Sequence, residues 1–178
     1  MSLVVVCDAG PIIHLNEAGA LSLLSHVGRI VIPRVVDFEV SGHIADWNRI
    51  RPEWLNVTAI SVSNSDLASE WYSSGLLDLG EAEAIALARE AKADWFLTDD
   101  TAARLFAHSY GLEIHGSLGL VLWSVAVGHI NKTEGLAMLK GLSASSLWIS
   151  TKVMAEALAA LDRLERSLAA SRNGAPEP

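Results

Sequence analysis

The sequence has only one cysteine, Cys7, among its 178 residues. One cysteine cannot form a disulfide within a chain, so we expect no disulfide framework and a reducing, cytoplasmic environment. The first residues contain neither a basic segment nor a long apolar one, which argues against a signal peptide. No apolar run reaches the roughly 18 residues that a membrane helix needs, so we expect no membrane partner.

Positive charge is also scarce, since 13 lysines and arginines face 21 acids and the formal net charge is −8. This balance argues against the broad basic surface of most nucleic-acid-binding proteins. It does not exclude a nuclease, because carboxylates that hold metal ions add negative charge and the bound ion reverses the local sign. Hydrophobic residues make up 51% of the chain, which predicts one globular domain with a large core.

Short apolar segments that predict strands alternate with segments of helical periodicity. The predicted strands are residues 3–7, 29–33, 57–61, 94–98 and 112–115. The predicted helices are residues 12–27 with a break near Gly19, 34–40, 66–72, 78–93, 101–110, 117–128, 132–141 and 151–170. A long loop is predicted over residues 42–56. This alternation indicates an α/β domain with a mostly parallel sheet, which binds ligands at the carboxyl ends of its strands.

Acids follow two of the predicted strands directly. Asp8 comes after the apolar segment LVVVC, and Asp99 and Asp100 come after DWFLT. Asp8 alone is explained by a turn or a helix cap. One member of the Asp99–Asp100 pair can cap the helix that begins at Thr101, which leaves the other acid without a structural explanation.

Two further acids lie on predicted helices. Glu39 lies three residues after Val36 and next to Val40, so it has apolar neighbours on its helix face. A carboxylate placed there is either paired, protonated or bound to a metal, or it lies half-exposed at the edge of the apolar stripe. Glu81 follows Asp78 by three residues, a spacing that also predicts a capping box.

Taken together, these acids predict a cleft in which three or four carboxylates meet. Like charges at such density raise each other's pKa unless a cation is present. Carboxylate oxygens suit Mg²⁺ or Mn²⁺ better than Zn²⁺, and such ions typically support phosphodiester chemistry.

The six histidines have no zinc-site spacing. Trp47 and Trp54 could stack on bases, although packing is the better explanation.

Four segments in this order resemble PIN domains, the fold of the VapC-type toxin ribonucleases: VVVCDAGPIIHL, IVIPRVVDFEV, LDLGEAEAIALA and WFLTDDTAARLFA. The sequence is most similar to a bacterial and archaeal branch of uncharacterised PIN-containing proteins. This likeness runs from about Val4 to Ile130.

The resemblance implies a Rossmann-like three-layer α/β/α sandwich with a central, mostly parallel sheet and additional C-terminal helices. Residues 1–130 would form the PIN-like catalytic domain. Residues 131–171 would form a helical extension packed on the same domain, and residues 172–178 a disordered tail.

The resemblance also implies a ribonuclease that hydrolyses RNA phosphodiester bonds with Mg²⁺ or Mn²⁺. The catalytic and metal-binding acids would be Asp8, Glu39, Glu81, Asp99 and Asp100. Many of the toxins have Asp at the position of Glu81. The toxin pattern Thr-x-Asp favours Asp100 as the fourth acid, whereas the nearest branch favours Asp99 with Asp100 beside it. We expect both to take part and slightly prefer Asp99. Thr98 and Arg104 would position substrate or water, although a surface or ion-pairing arginine is the better explanation of Arg104 from the sequence alone.

Partners implied by the resemblance are an RNA substrate, an antitoxin protein and a second copy of the chain. The alternative is an inactive PIN-fold module that binds nucleic acid or protein. A phosphatase of the haloacid-dehalogenase type is disfavoured, because it would need an Asp-x-Asp pattern after its first strand. Here Asp8 is followed by Ala-Gly-Pro.

Overall fold

A single sheet of five parallel strands forms the centre of the molecule. The computed structural model describes residues 2–173, with the side chains of residues 2–167. The strands are β1 (Leu3–Cys7), β2 (Gly28–Pro33), β3 (Leu55–Thr58), β4 (Trp95–Leu97) and β5 (Ile114–His115). Their order across the sheet is β3-β2-β1-β4-β5. The predicted α/β fold with a parallel sheet is therefore confirmed.

Helices cover the sheet and extend the chain at its C-terminal end. They are α1 (Ala9–Glu17), α2 (Leu24–Val27), α3 (Arg34–His43), α4 (Trp47–Ile50), α5 (Val62–Ser73), α6 (Leu79–Glu90), α7 (Thr101–Ser109), α8 (Ser117–Ala126), α9 (Lys132–Ala144) and α10 (Thr151–Asn173). The α6 helix packs on β1, β2 and β4, and it contacts α5 and α7. The α8, α9 and α10 helices pack on one another, and α1 contacts α8 and α9. None of the helices within residues 2–173 has the length and apolar character of a membrane span.

The core of the sheet follows from the composition of its central strands. Val5 and Val6 of β1 and Ile30 and Ile32 of β2 are fully buried. A parallel sheet with helices on both faces buries both sides of each strand, so its strands are continuous apolar runs rather than alternating ones. This is why the β-branched segments near the N-terminus predict strands correctly.

The predicted loop over residues 42–56 is wrong in part. The structure places helix α4 inside this segment and starts β3 at Leu55, two residues before the predicted strand. Trp47 is buried, and its Nε1 donates to Asp37 Oδ1 over 2.8 Å. Arg51 Nη1 donates to the other oxygen of Asp37 over 2.6 Å. Sequence periodicity does not reveal this long-range polar anchor, which holds the irregular segment against α3.

Other boundaries also differ from the prediction, among them those of α5 and α10. The α5 helix starts at Val62 rather than at residue 66, because Ser61 and Asn64 are tied to Glu90 of α6 by hydrogen bonds of 2.7–3.1 Å. At the C-terminal end, α10 continues through Asn173, two residues into the predicted tail. The rest of that tail, residues 174–178, lies outside the described residues.

The strand order creates a crevice at the carboxyl edge of the sheet. From β1 the chain builds β2 and β3 on one side, then returns to place β4 and β5 on the other. Connections leave the neighbouring strands β1 and β4 in opposite directions, and ligands bind at such points in open α/β sheets. Cys7 pairs with Leu97 in this register, and Asp8 N donates to Leu97 O over 2.9 Å. Asp8 and the Thr98–Asp100 segment therefore meet at this crevice.

Candidate active site

The crevice between the ends of β1 and β4 is an acidic cleft with a volume of about 390 Å³. Six carboxylate side chains line it: Asp8, Glu39, Asp78, Glu81, Asp99 and Asp100. Five of them are the acids singled out in the sequence, so the fold brings the predicted set together. No lysine or arginine is among the described residues that line the acidic cleft. The negative charge there is not balanced by a fixed cation of the chain.

Asp8 is the most deeply placed of these acids, with 6% of its surface exposed. Thr98 Oγ1 donates to Asp8 Oδ2 over 3.1 Å, so the predicted hydroxyl residue holds the first acid directly. Burial raises the pKa of Asp8 to about 8, against a lowering contribution from the backbone N–H of Ala9. Repulsion from Glu81, Glu39 and Asp78 raises it further. A buried carboxylate held this way is stable when protonated or next to a cation.

Glu39 reaches the acidic cleft from α3 across the start of α6. A Cβ atom placed on Gly80 would lie 2.6 Å from Glu39 Oε2, so a larger residue there would push this carboxylate out of its present position. Burial raises the pKa of Glu39, repulsion from Asp78 adds to the effect, and His43 opposes it. Glu39 is half-buried, as expected for an acid between an apolar face and a cleft.

Glu81 both caps its helix and lines the acidic cleft. The predicted capping box is confirmed, because Glu81 N donates to Asp78 Oδ1 over 2.8 Å and Asp78 N donates to Glu81 Oε2 over 3.0 Å. Burial raises the pKa of Glu81 to about 7 against the lowering effect of the Asp78 N–H, and Asp78 and Asp100 add to the rise by repulsion. The Asp100 carboxyl also interacts directly with Glu81. Glu81 can therefore cap α6 and line the acidic cleft at the same time.

Asp100 is the member of the acidic pair that caps a helix. Its Oδ1 accepts from Ala103 N over 2.8 Å at the start of α7. Its own N–H donates to Thr98 Oγ1 over 3.2 Å. The Thr98 hydroxyl thus links the backbone of Asp100 to the side chain of Asp8. Two rigid elements, the end of β4 and the start of α7, fix Asp100 beside Glu81.

Asp99 has a different set of partners. Its Oδ1 accepts from Ser117 N over 2.7 Å, and its Oδ2 accepts from Ser117 Oγ over 2.6 Å and from His14 Nδ1 over 2.8 Å. Both oxygens are therefore engaged by α8 and α1. These bonds tie three elements together at the edge of the acidic cleft, which explains why the chain has two adjacent acids here.

The donor set of the acidic cleft fits a hard divalent cation, because Mg²⁺ and Mn²⁺ prefer carboxylate oxygens. Burial and mutual repulsion raise the pKa of Asp8, Glu39 and Glu81, and a bound cation would relieve that repulsion. Within residues 2–167, no three histidine, cysteine or acidic side chains lie close enough together to hold an ion as they are placed. Ion binding therefore requires these side chains to turn towards one another.

Arg104 lies on the next turn of α7 and does not line the acidic cleft. Its Nη1 donates to Thr98 O over 3.1 Å. A Cβ atom on Gly116 would lie 2.9 Å from Asp99 Oδ1 and 3.0 Å from Arg104 Nη1. Because Gly116 has no side chain, the Asp99 carboxylate and the Arg104 guanidinium can both approach the start of α8.

Replacing Gly116 by alanine is expected to lower the free energy of unfolding by about 1–3 kcal/mol, because the new methyl group displaces Asp99 from Ser117 N. The control is Gly119→Ala in α8, the helix that Gly116 precedes, where no atom lies within 4 Å of the added Cβ. That control should be neutral or stabilising by up to about 1 kcal/mol. Urea unfolding at equal m-values compares the two variants, and equal midpoints would contradict the explanation of Gly116.

Three residues of this region were missed as site residues by sequence reasoning. The sequence singles out no role for His14, yet its side chain bonds Asp99 and lines the acidic cleft. Asp78 was predicted only as a helix cap. Trp148, at the rim, is 86% exposed and lies in a segment without periodicity. The only signal for Asp78 was its place in the capping box, and nothing in the sequence indicated Trp148.

The similarity to known proteins agrees with this fold. A family model described as a PIN domain matches residues 4–163, which extends past Ile130 into the C-terminal helices. A search of curated proteins gives no significant match. PIN domains are generally nucleases and typically use divalent metal ions. Because the matched segment covers far more than half of the 178 residues, the chain belongs to the PIN domain family.

Proposed function

We propose that this protein is a Mg²⁺- or Mn²⁺-dependent ribonuclease that hydrolyses RNA phosphodiester bonds in the acidic cleft. The observation that carries the proposal is the convergence of six carboxylates on one cleft without a lysine or arginine. Burial and repulsion raise the pKa of Asp8 to about 8 and that of Glu81 to about 7. Such a site is stabilised by a divalent cation, and phosphodiester hydrolysis is the chemistry that such cations support in PIN domains.

Four acids are proposed to hold the ion: Asp8, Glu39, Glu81 and Asp100. Asp100 is preferred to Asp99, because both oxygens of Asp99 already accept hydrogen bonds from His14 and Ser117. Asp99 instead keeps α1 and α8 in place at the cleft. The cation supplies a charge that polarises the scissile phosphate and lowers the pKa of water. Thr98 keeps Asp8 oriented towards the cleft through its hydroxyl.

RNA is proposed as the substrate because the chain resembles the VapC-type ribonucleases in the segments around Asp8, Glu39, Glu81 and Asp99. The same resemblance extends the proposal to a toxin role, with an antitoxin protein that restrains the enzyme and a dimeric assembly. Each of these rests on the likeness in sequence to the VapC-type toxins.

Incubation of the purified chain with single-stranded RNA tests the proposal. We expect cleavage products with Mn²⁺ or Mg²⁺ and none with EDTA, as resolved on a denaturing gel. Varied RNA sequences that all stay intact at millimolar Mn²⁺ would refute the ribonuclease assignment. Single-stranded DNA in a parallel reaction separates a ribonuclease from a general nuclease.

Gly80 offers a way to move one acid without removing it. An alanine Cβ at this position would lie 2.6 Å from Glu39 Oε2, and the flexible Glu39 side chain can swing away. We expect Gly80→Ala to weaken Mn²⁺ binding at least about tenfold, because one anionic ligand is lost from the acidic cleft. The free energy of unfolding should stay equal or rise by up to about 1 kcal/mol, since alanine favours the helix.

Calorimetric titration and thermal unfolding in EDTA measure these two effects of Gly80→Ala. The control is Gly42→Ala on α3, where the added Cβ meets no atom within 4 Å. Unchanged Mn²⁺ affinity in Gly80→Ala would mean that ion binding does not need Glu39 in its present position beside Gly80.

One observation favours an inactive binding module as the second candidate. Within residues 2–167, no three potential ligands are already assembled around a common point. A module without turnover has no need of Mn²⁺, whereas the ribonuclease binds it. Both candidates share the fold, so the RNA cleavage reaction and the metal titration distinguish them.

A further inference from the structure

A second cleft adjoins the acidic cleft at the same edge of the sheet. This side groove has a volume of about 500 Å³ and is lined from α7, β5, α8 and the segment before α10. Its size is within the range of ligand sites in proteins. The two clefts share four lining residues: Asp99, Thr101, Leu147 and Trp148. A chain-like ligand held by the acids therefore continues naturally into the side groove.

Trp148 stands at the junction of the two clefts with 86% of its surface exposed. A tryptophan is rarely left this open, because its large ring gains free energy from burial. Its neighbours Leu147 and Ile149 pack against the core, so the segment is docked while the indole projects into water. Among the described residues, no aromatic ring stacks on Trp148. The indole face is therefore free for a ligand.

The segment that carries Trp148 is fixed on both sides. Ser146 N and Ser146 Oγ both donate to Glu17 Oε2 of α1 over 2.7 Å, and these bonds lower the pKa of Glu17. On the other side, Ser150 Oγ accepts from Val153 N over 3.2 Å at the start of α10. A ring on an anchored segment loses little conformational freedom when a ligand stacks on it.

Arg104 supplies positive charge to the side groove. Within residues 2–167, no carboxylate lies within ion-pair distance of its guanidinium, whose Nη1 bonds only the carbonyl oxygen of Thr98. An arginine without an acidic partner is notable in a chain of net charge −8. The planar guanidinium is well suited to a phosphate, which it can bind with two parallel hydrogen bonds.

We propose that the side groove binds the nucleotide next to the scissile phosphate of single-stranded RNA, with its base stacked on Trp148 and its phosphate at Arg104. This inference rests on the proposed ribonuclease function. An exposed aromatic ring next to a cation is the combination that holds single-stranded nucleic acid. Bases of a duplex are already stacked on one another and cannot lie on the indole, so the groove selects single strands.

The test is RNA binding measured by the fluorescence anisotropy of a labelled single-stranded RNA of about eight nucleotides. Titrations in EDTA, in which the proposed ribonuclease does not cleave, are run for the wild type and for Trp148→Ala, Trp148→Phe and Tyr72→Ala. Tyr72 is the control, because it is an exposed aromatic residue on α5 outside both clefts. Cleavage of the same RNA with Mn²⁺ is followed separately.

We expect Trp148→Ala to weaken RNA binding about tenfold, which is the typical effect of losing one stacked base. Trp148→Phe should recover most of the affinity because it restores a ring, and Tyr72→Ala should bind like the wild type. Thermal midpoints should be equal for all four chains, since both side chains are exposed.

Equal affinity of wild type and Trp148→Ala would overturn the side groove as a base site, and so would a wild-type chain that binds no single-stranded RNA. These results are separable from the ribonuclease assignment. RNA cleavage together with unchanged RNA binding in Trp148→Ala would support the ribonuclease assignment and contradict the base site in the side groove. Weakened RNA binding in Trp148→Ala, with no RNA cleavage by any of the four chains, would support the base site in the side groove and contradict the ribonuclease assignment.

Discussion

Replacing Asp8 by asparagine is expected to lower the rate of RNA cleavage at least about a hundredfold. Asp8 directly follows β1 and is buried at the bottom of the acidic cleft, where its carboxylate accepts a hydrogen bond from the Thr98 hydroxyl. Asparagine has the same shape and can still accept the Thr98 hydrogen bond, so the variant removes a negative charge without removing the contact. Initial rates with Mn²⁺, taken at saturating RNA, measure the loss.

The control for Asp8→Asn is Asp66→Asn, the same substitution at an exposed acid of α5 outside the acidic cleft. It should cleave RNA at the wild-type rate. A rate of Asp8→Asn within about threefold of the wild type would remove Asp8 from the proposed ligands, since losing a charged ligand costs more than that.

The stability of the metal-free protein should also depend strongly on pH. Its free energy of unfolding should fall as the pH rises from about 4 to about 8. Burial, with repulsion from Glu81 and Glu39, raises the pKa of Asp8 from 3.8 to about 8. Between these values the folded state keeps a proton that the unfolded state has released. The stabilisation is therefore complete below pH 3.8 and lost as the pH passes about 8. Glu81, whose pKa is raised to about 7, acts in the same direction.

The Asp8→Asn variant separates this effect from the rest of the chain. With EDTA at about pH 8, we expect it to be more stable than the wild type by about 2–4 kcal/mol, because asparagine never ionises. Adding Mn²⁺ should raise the thermal midpoint of the wild type and change that of the variant little, because ligand binding stabilises only the state that binds. Circular dichroism melts across the pH range measure both effects.

The Asp66→Asn chain is again the control, and its stability should follow the wild-type dependence on pH. Parallel curves for the wild type and Asp8→Asn would contradict a strongly raised pKa at Asp8. The expected combination is a variant that is more stable yet inactive, as is common where an active site concentrates like charges.

Much of the fold could be predicted from the sequence, because local patterns determine it. The β-branched run before Asp8 forms β1, and the alanine-rich segment after Asp78 forms α6 with its predicted capping box. The short β3 was displaced in the prediction, since Leu55 and Trp54 follow a segment held by a contact between Trp47 and Asp37. Such a contact joins residues that no periodicity connects.

Most of the acids that line the acidic cleft could also be predicted from the sequence. Acids at strand ends converge at the crevice because a parallel sheet places its carboxyl ends at one edge. The sequence alone could not decide between Asp99 and Asp100, because the choice depends on His14 and Ser117, which reach Asp99 from other helices. Trp148 escaped prediction for the same reason, since its exposure is set by how its neighbours dock.

Calorimetric titration of Mn²⁺ into the wild-type chain near neutral pH tests most directly that the acidic cleft holds a divalent cation. Binding should be saturable, and the observed heat should change with the ionisation enthalpy of the buffer. This follows because Asp8 and Glu81, with pKa values raised to about 8 and about 7, must release protons to the buffer. No saturable heat at millimolar Mn²⁺ would contradict the cation site. Saturable heat that is independent of the buffer would contradict the raised pKa values of Asp8 and Glu81.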